Sequence, residues 1–247
     1  MWGAKMSYTD RGELKFLIDY QTYGAILKYI GPFTERDSNV GKSGSYILCS
    51  LYYDTKNNKF YWEKVEGEKI RRKVRIRTYI ESESGKALAT MLEVKKKDDR
   101  NVYKNKVVVE FDDALTFMDT GNADCFKRRL SDSERATLDN IIYLKYKFGL
   151  EPKIMIKYER EPFFDRYVRS TRLTFDKNVS YRTVDLRTRG GETCEFAIPP
   201  NLMVLEIKYR RMLPFWVADM IRRFSLRLVT VSKYCEAMNA SLARPDF

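Results

Sequence analysis

The chain has 247 residues, 44% of them hydrophobic, with 46 Lys and Arg against 34 Asp and Glu, a formal net charge of +12. That composition supports a buried core and excludes wholesale disorder, and no run of about 18 apolar residues is present to form a membrane-spanning helix. There is no histidine, which excludes Ser-His-Asp and Cys-His catalysis, histidine-ligated zinc and imidazole acid–base chemistry within this chain.

Residues Glu13 to Asp19 read as a strand, and Tyr20 to Tyr29 as a short helix closed by Gly31 and Pro32. A polar loop follows from Glu35 to Gly44. Ile47 to Asp54 is a strand ending in Tyr52-Tyr53-Asp54, and Phe60 to Glu66 a short helix or turn. Lys69 to Glu81 and Ala89 to Lys97 are basic strands joined by Ser82-Glu83-Ser84-Gly85. Another strand spans Lys104 to Phe111, and Asp112 to Phe126 is helical in part. Ser131-Asp132-Ser133-Glu134 is a capping box that opens a helix to about Phe148, stopped by Gly149 and Pro152. Strands follow at Lys153 to Arg160, Arg172 to Asp176, Thr193 to Ile198 and Val204 to Arg210. Helices at Pro214 to Phe224 and Ser232 to Leu242 complete the chain. No repeat and no low-complexity linker divides it, so a single domain is expected, a barrel or a sandwich.

A strand sends alternate side chains to opposite faces. In Lys73-Val74-Arg75-Ile76-Arg77 this makes one face apolar and the other cationic. Glu-x-Lys occurs three times on such strands, at Glu13/Lys15, Glu93/Lys95 and Glu206/Lys208. If helices cover the apolar faces, the charged faces point inward, and like charges held close require an anionic guest. Arg forks and Lys ammonium groups suit phosphate oxygens, and carboxylates among them suit an oxygen-seeking divalent ion bridging to phosphate. Phe215-Trp216 reads as core rather than a membrane or partner surface. Gly41-Lys42-Ser43 looks like the end of a phosphate-binding loop, but Arg36 stands where that motif needs glycine, so the reading is rejected. Cys49, Cys125, Cys194 and Cys235 have neither zinc nor disulfide-framework spacing and read as buried thiols in a reducing cytoplasm. The start lacks the apolar stretch of a signal peptide, and two starts stay open, Met1 or Met6, the second making residues 1–5 an extension.

Taken in order, Arg11-x-Glu13-x-Lys15, Leu51-Tyr52-Tyr53-Asp54, Lys73-Val74-Arg75-Ile76-Arg77-Thr78-Tyr79, Leu92-Glu93-Val94-Lys95, Tyr158-Glu159-Arg160, Arg172-x-x-x-Asp176, Val204-Leu205-Glu206-Ile207-Lys208 and Ser232-Lys233-Tyr234 resemble the VTC domain. This is the polyphosphate polymerase branch of the triphosphate tunnel metalloenzymes. The likeness runs from about Arg11 to Tyr234. It implies an α+β fold: an eight-stranded antiparallel β-barrel enclosing a tunnel, with helices packed on the outside, as one domain over residues 1–247. It implies that Lys15, Arg75, Arg77, Lys95, Arg160 and Arg172 bind a nucleoside triphosphate such as ATP and the polyphosphate chain. Lys208 shares the face of Glu206, which matches the metal-binding glutamate for Mn²⁺ or Mg²⁺. Ser232 and Lys233 match a motif near the tunnel end, Lys106 a further basic position, and Tyr158 a place beside the phosphates. Lys73 is expected at the tunnel mouth.

Related triphosphatases carry Glu-x-Glu-x-Lys on the first strand; here Arg11 replaces the first Glu, which favours the polymerase branch. Thr230 and Val231 stand where a basic residue would precede Ser232-Lys233. The phosphate-sensing helical domain of eukaryotic relatives is not expected. Two other readings stay open: a metal-dependent triphosphatase on the same scaffold, and a non-catalytic polyphosphate or nucleic-acid binder. No stable nucleic-acid partner is expected, and peripheral membrane association stays open.

Overall fold

The computed structural model describes residues 11–37, 40, 43–99, 101–189 and 194–243. The alternative start at Met6 and residues 1–5, with Gly41 and Lys42 of the rejected motif, lie outside the described residues. Among the described residues ten strands form: β1 (Arg11–Asp19), β2 (Thr34–Arg36), β3 (Tyr46–Asp54), β4 (Ile70–Glu81), β5 (Ala87–Asp98), β6 (Asn101–Val109), β7 (Glu151–Asp165), β8 (Arg172–Arg182), β9 (Glu195–Phe196) and β10 (Leu202–Arg210). Six α-helices accompany them in the same residues: α1 (Tyr20–Ile30), α2 (Lys59–Val65), α3 (Phe111–Thr120), α4 (Asp132–Phe148), α5 (Phe215–Arg223) and α6 (Lys233–Leu242).

Eight strands follow one antiparallel path, β1-β10-β8-β7-β3-β4-β5-β6, with β2 added to β7 and β9 to β8. Lys95 on β5 lies in the field of Glu13 and Lys15 on β1 and of Lys208 on β10. Those strands are far apart along the path, so the sheet wraps until its two ends face each other as a barrel-like tunnel. Among the described residues no ladder joins β1 to β6.

The alternation read in the sequence separates the two faces. Outward-facing Val74, Ile76, Leu92 and Val94 pack with Phe117 of α3 and Ile141 of α4. Phe16, Leu205 and Ile207 pack with Ile26 of α1 and Trp216 and Met220 of α5. The third cluster is different: Tyr46, Leu48, Tyr52 and Ile154 belong to the inner face, and Tyr234 and Met238 of α6 close over them. So α6 packs on the inner face along β3 and β7, while α1, α3, α4 and α5 clothe the outside.

Local signals fix the helix ends. Ser131 and Glu134 form the reciprocal capping box of α4, and Gly149 closes that helix in the left-handed region at φ 60°. Gly12 serves a close approach: a Cβ there would stand 2.1 Å from the Tyr209 ring on the neighbouring strand. Phe215 and Trp216 part company. Trp216 is buried and donates its indole N–H to Asp165 at 2.9 Å, whereas Phe215 is 78% exposed. Of the cysteines, Cys49 and Cys235 are buried, while Cys125 and Cys194 are half-buried. Among the described residues no helix is long and apolar enough to cross a membrane.

Candidate functional site

Register brings the charged faces together. Lys15 pairs with Glu206 and Glu13 with Lys208 across β1 and β10. Lys208 pairs with Arg172 across β10 and β8, and Arg160 with Asp176 across β7 and β8. On the far wall Lys73 lies opposite Lys95 and Arg75 opposite Glu93, with Lys106 and Lys104 on β6 opposite Glu93 and Lys95. Directly opposed residues of an antiparallel pair point the same way, so all of these side chains share the inner face.

Two carboxylates organise one wall. Asp176 is fully buried and receives a two-pronged hydrogen bond from Arg160, at 2.6 and 2.8 Å, with the Lys233 ammonium 2.5 Å away. Glu206 is 7% exposed, with Lys208 at 2.5 Å and Lys15 at 3.9 Å. Burial alone would raise the Glu206 carboxyl, but Lys208, Lys15, Arg160 and Lys233 hold it well below the usual carboxylate range. Burial likewise opposes the charge on Lys15, yet Glu206 and Glu13 outweigh it and raise the ammonium. The buried Tyr158 ring lies beneath both Arg160, at 5.4 Å, and Lys233, at 4.8 Å.

Glu93 organises the other wall. Its carboxylate meets Arg75 at 2.5 Å, Lys104 at 2.8 Å and Arg77 at 3.9 Å. Burial pushes it up, but those three cations bring it down to about 2. Arg77 is buried, also donates to Ser50 Oγ at 3.2 Å, and is held charged by Tyr158, Tyr52 and Glu93 against its burial. Two of the Glu-x-Lys pairs therefore close within their strand, Glu13–Lys15 at 2.8 Å and Glu206–Lys208 at 2.5 Å. The third does not. Glu93 is taken by Arg75 and Lys104, and among the described residues Lys95 has no carboxylate within ion-pair distance. Lys95 is lowered by burial and by Lys15, Lys208 and Arg75, with Glu13 opposing.

The remaining candidates spread along the tunnel. Arg172 touches Tyr46 Oη at 3.2 Å and Asp37 at 3.5 Å, and lies over the Phe164 ring. Lys106 is exposed on β6, facing the same side as Glu93, without an ion pair among the described residues. Ser232 is the N-cap of α6, accepting from Cys235 N, and its hydroxyl receives Lys73 Nζ at 3.0 Å. This corrects the expectation for Lys73. It is not at an open mouth but sits under the first turn of α6, over the Tyr234 ring, and burial with Arg75 and Lys95 lowers it to about 8.

Sequence reasoning underweighted Tyr52, Asp54 and Tyr234. Asp54 is fully buried, accepts the N–H groups of Thr55, Phe60 and Tyr61 at the start of α2, and receives the Tyr234 hydroxyl at 2.5 Å. Tyr234 stacks on Tyr52 at 4.8 Å, and Tyr52 Oη accepts from Arg75 at 2.8 Å. Burial alone would raise the Tyr52 hydroxyl, but Arg75, Arg77 and Lys73 bring it down to about 7. The two-residue step from Tyr52 to Asp54 on an inner face was the available signal.

The donor set tests the implied divalent ion. Among the described residues no three His, Cys, Asp or Glu side chains cluster as a resident metal cage. Glu206 is instead a single ionised carboxylate beside phosphate-seeking cations, with Glu13 on the adjacent strand. That arrangement fits a hard ion shared with substrate phosphates, since Mg²⁺-type sites use one or two carboxylates plus phosphate oxygens and water.

Comparison with solved structures supports the fold. A candidate adenylate cyclase from Bacillus halodurans superposes with a TM-score of 0.50 at 10% identity, covering 89% of this chain and 92% of that one. A candidate adenylyl cyclase from Hippeastrum, described as having a dominant triphosphatase activity, does so with a TM-score of 0.50 at 12% identity, covering 94% and 96%. No curated protein sequence matches. The VTC domain matches residues 10–242, which takes in all ten strands and the charged inner face described above, and the chain belongs to the VTC domain family.

Proposed function

We propose that this protein is a metal-dependent phosphotransferase of the polyphosphate polymerase type. It moves the γ-phosphoryl of a nucleoside triphosphate, ATP in the first instance, onto a polyphosphate chain inside the tunnel. The observation that carries this reading is the convergence of Lys15, Arg160, Lys233 and Lys208 on two buried carboxylates, with Arg75 and Arg77 on the facing wall. Family membership and a tunnel fold without histidine support it.

In this reading Arg75, Arg77, Lys95 and Arg160 grip the triphosphate oxygens, and Lys15 and Lys208 flank the γ-phosphoryl beside Glu206. Arg172, Lys106, Ser232 and Lys233 hold the chain on either side, and Tyr158 keeps Arg160 and Lys233 over its ring. A terminal phosphate oxygen of the chain bonds to the γ-phosphorus as the bond to the bridging oxygen breaks, and the nucleoside diphosphate leaves with that electron pair. The nucleophile is already anionic, so no histidine base is required. Alignment and charge neutralisation supply the catalysis. Glu206 would hold Mn²⁺ or Mg²⁺, which when bound adds positive charge to the phosphates. ATP as reactant and the absence of a disulfide framework favour a cytoplasmic site of action, with no stable nucleic-acid partner. Peripheral attachment to a membrane is compatible with this reading.

Incubation with ATP and Mn²⁺ tests the proposal. Long acid-labile phosphate chains are expected. Free phosphate without chains would select the triphosphatase reading, which the likeness to the Hippeastrum protein favours. Binding without turnover would overturn both. An unchanged product yield in Glu206→Gln would remove the metal role from that residue.

A further inference from the structure

The inner face of β4 and β5 does not stop at the tunnel. Register continues from Arg75/Glu93 through Lys73/Lys95 to Arg71/Lys97, so Arg71 and Lys97 share the inward side beyond the barrel's edge. Successive same-side positions are about 7 Å apart along a strand. The cations of the opposite side behave differently. Arg72 is tied to Glu63 at 2.6 Å and Lys96 to Asp98 at 2.8 Å. Arg71, Lys97 and Lys95 have no ion pair among the described residues, and neither does Lys64 at the end of α2. All of Arg71, Lys97 and Lys64 are half-buried rather than waving in solvent. Lys97 is lowered by burial and then by Arg71 and Lys64, with Asp99 the carboxylate that opposes them, which places the three cations in one another's field.

We propose that Arg71, Lys97 and Lys64 form a phosphate track outside the tunnel, continuous with Lys95, that holds the emerging segment of a long polyphosphate chain. The inference rests on the polyphosphate reading above. A short anion sits within the tunnel and does not reach the track; a chain long enough to pass Lys95 gains three further cations. Side chains on the other face of the same strands are neutralised by built-in carboxylates, so the charge left over is directed along the chain's path rather than spread over the surface.

The test compares two probes, tripolyphosphate and a polyphosphate of several tens of units, on the wild type and on the triple variant Arg71→Ser/Lys97→Ser/Lys64→Ser. Calorimetric affinity and the product length distribution are read together. The wild type is expected to bind the long chain at least tenfold tighter than tripolyphosphate. The variant is expected to lose most of that ratio while keeping its tripolyphosphate affinity, and to make shorter chains. Equal preference for the long probe in wild type and variant overturns the track and leaves the polymerase reading intact. A wild type that makes no polyphosphate, yet shows a long-chain preference that the variant loses, overturns the polymerase reading and leaves the track standing. Variant tripolyphosphate affinity serves as the folding control, and its loss together with the long-chain preference is answered by the single variant Lys97→Ser, in which the ratio must still fall.

Discussion

The Tyr234 hydroxyl donates to the Asp54 carboxylate at 2.5 Å, tying the first turn of α6 to the end of β3 across 180 positions of sequence. Tyr234 also stacks on Tyr52, which accepts from Arg75. One buried carboxylate thereby fixes the helix that presents Ser232 and Lys233 and the phenol that braces a tunnel arginine.

Tyr234→Phe removes the hydroxyl and leaves the stack. It is expected to lower stability by about 1–3 kcal/mol, since a hydrogen bond to a buried charge is lost. Phosphoryl transfer should fall further than a melting-temperature change alone accounts for, because Ser232 and Lys233 are no longer held in register. Thermal unfolding and the polyphosphate product assay, run on the same preparation, check this; full activity in a destabilised variant would refute the positioning role.

Glu93 carries a pH signature. Its folded value of about 2 lies below the ordinary 4.5. A depressed acid contributes stability above its unfolded value and loses it as pH falls towards the folded one. The stability difference between wild type and Glu93→Gln is therefore expected to narrow by roughly 3 kcal/mol between about pH 5 and about pH 2. Denaturant unfolding at stepped pH measures it, and a constant difference would sink the assignment.

Tyr52 is expected to ionise near neutrality, at about 7. Ultraviolet difference spectroscopy should show one tyrosinate forming well before the rest, and Tyr52→Phe should abolish that early step. Both Tyr52 and Lys73 have folded values below their ordinary ones, about 7 and about 8. Between those values and the ordinary ones the unfolded chain binds more protons. Their joint contribution to stability thus rises with pH from about 7 to about 10.

Arg72→Ala separates architecture from chemistry. Arg72 points away from the tunnel and compensates Glu63, which is fully buried at the base of α2 and pushed up by that burial. Stranding the carboxylate is expected to cost about 3 kcal/mol or more at neutral pH, and less as acid protonates it. Tripolyphosphate affinity should be unchanged; a large affinity loss would mean that β4 itself has shifted.

The alternation of Lys73 to Arg77 and the three Glu-x-Lys steps made the inner face legible, because period-two patterning depends only on neighbouring residues. Expectation fell short where tertiary context decides. Lys153 to Arg160 was expected as a strand, yet β7 runs from Glu151 to Asp165, carrying Pro162 opposite Thr174. Proline argues against an interior strand position on local grounds; Pro162 falls in the gap on the other side of β7, between the β3 partner Arg160 and the β2 partner Phe163. The strand from Arg172 extends past Asp176 to Arg182 through Asn178, which sits in the left-handed region at φ 52° where the register slips. Thr193 to Ile198 contributes a strand of only two residues, Glu195–Phe196, among those described. Within the site, residue types and faces were readable, but partners were not. Nothing local says that Glu93 chooses Arg75 over Lys95, or that Lys73 ends beneath a helix 159 positions later.

Asp176, Glu206 and Glu93 have a consequence for salt. A groove whose cations stood bare would gather mobile ions from solution and release them when a polyanion arrives, giving a steep loss of affinity with added salt. Here Arg160, Lys233, Lys208, Arg75 and Lys104 already hold covalently tethered counterions. An incoming phosphate chain displaces carboxylates that cannot diffuse away. The tunnel should therefore show a shallower salt dependence than its number of cations suggests, and it can fold without a guest.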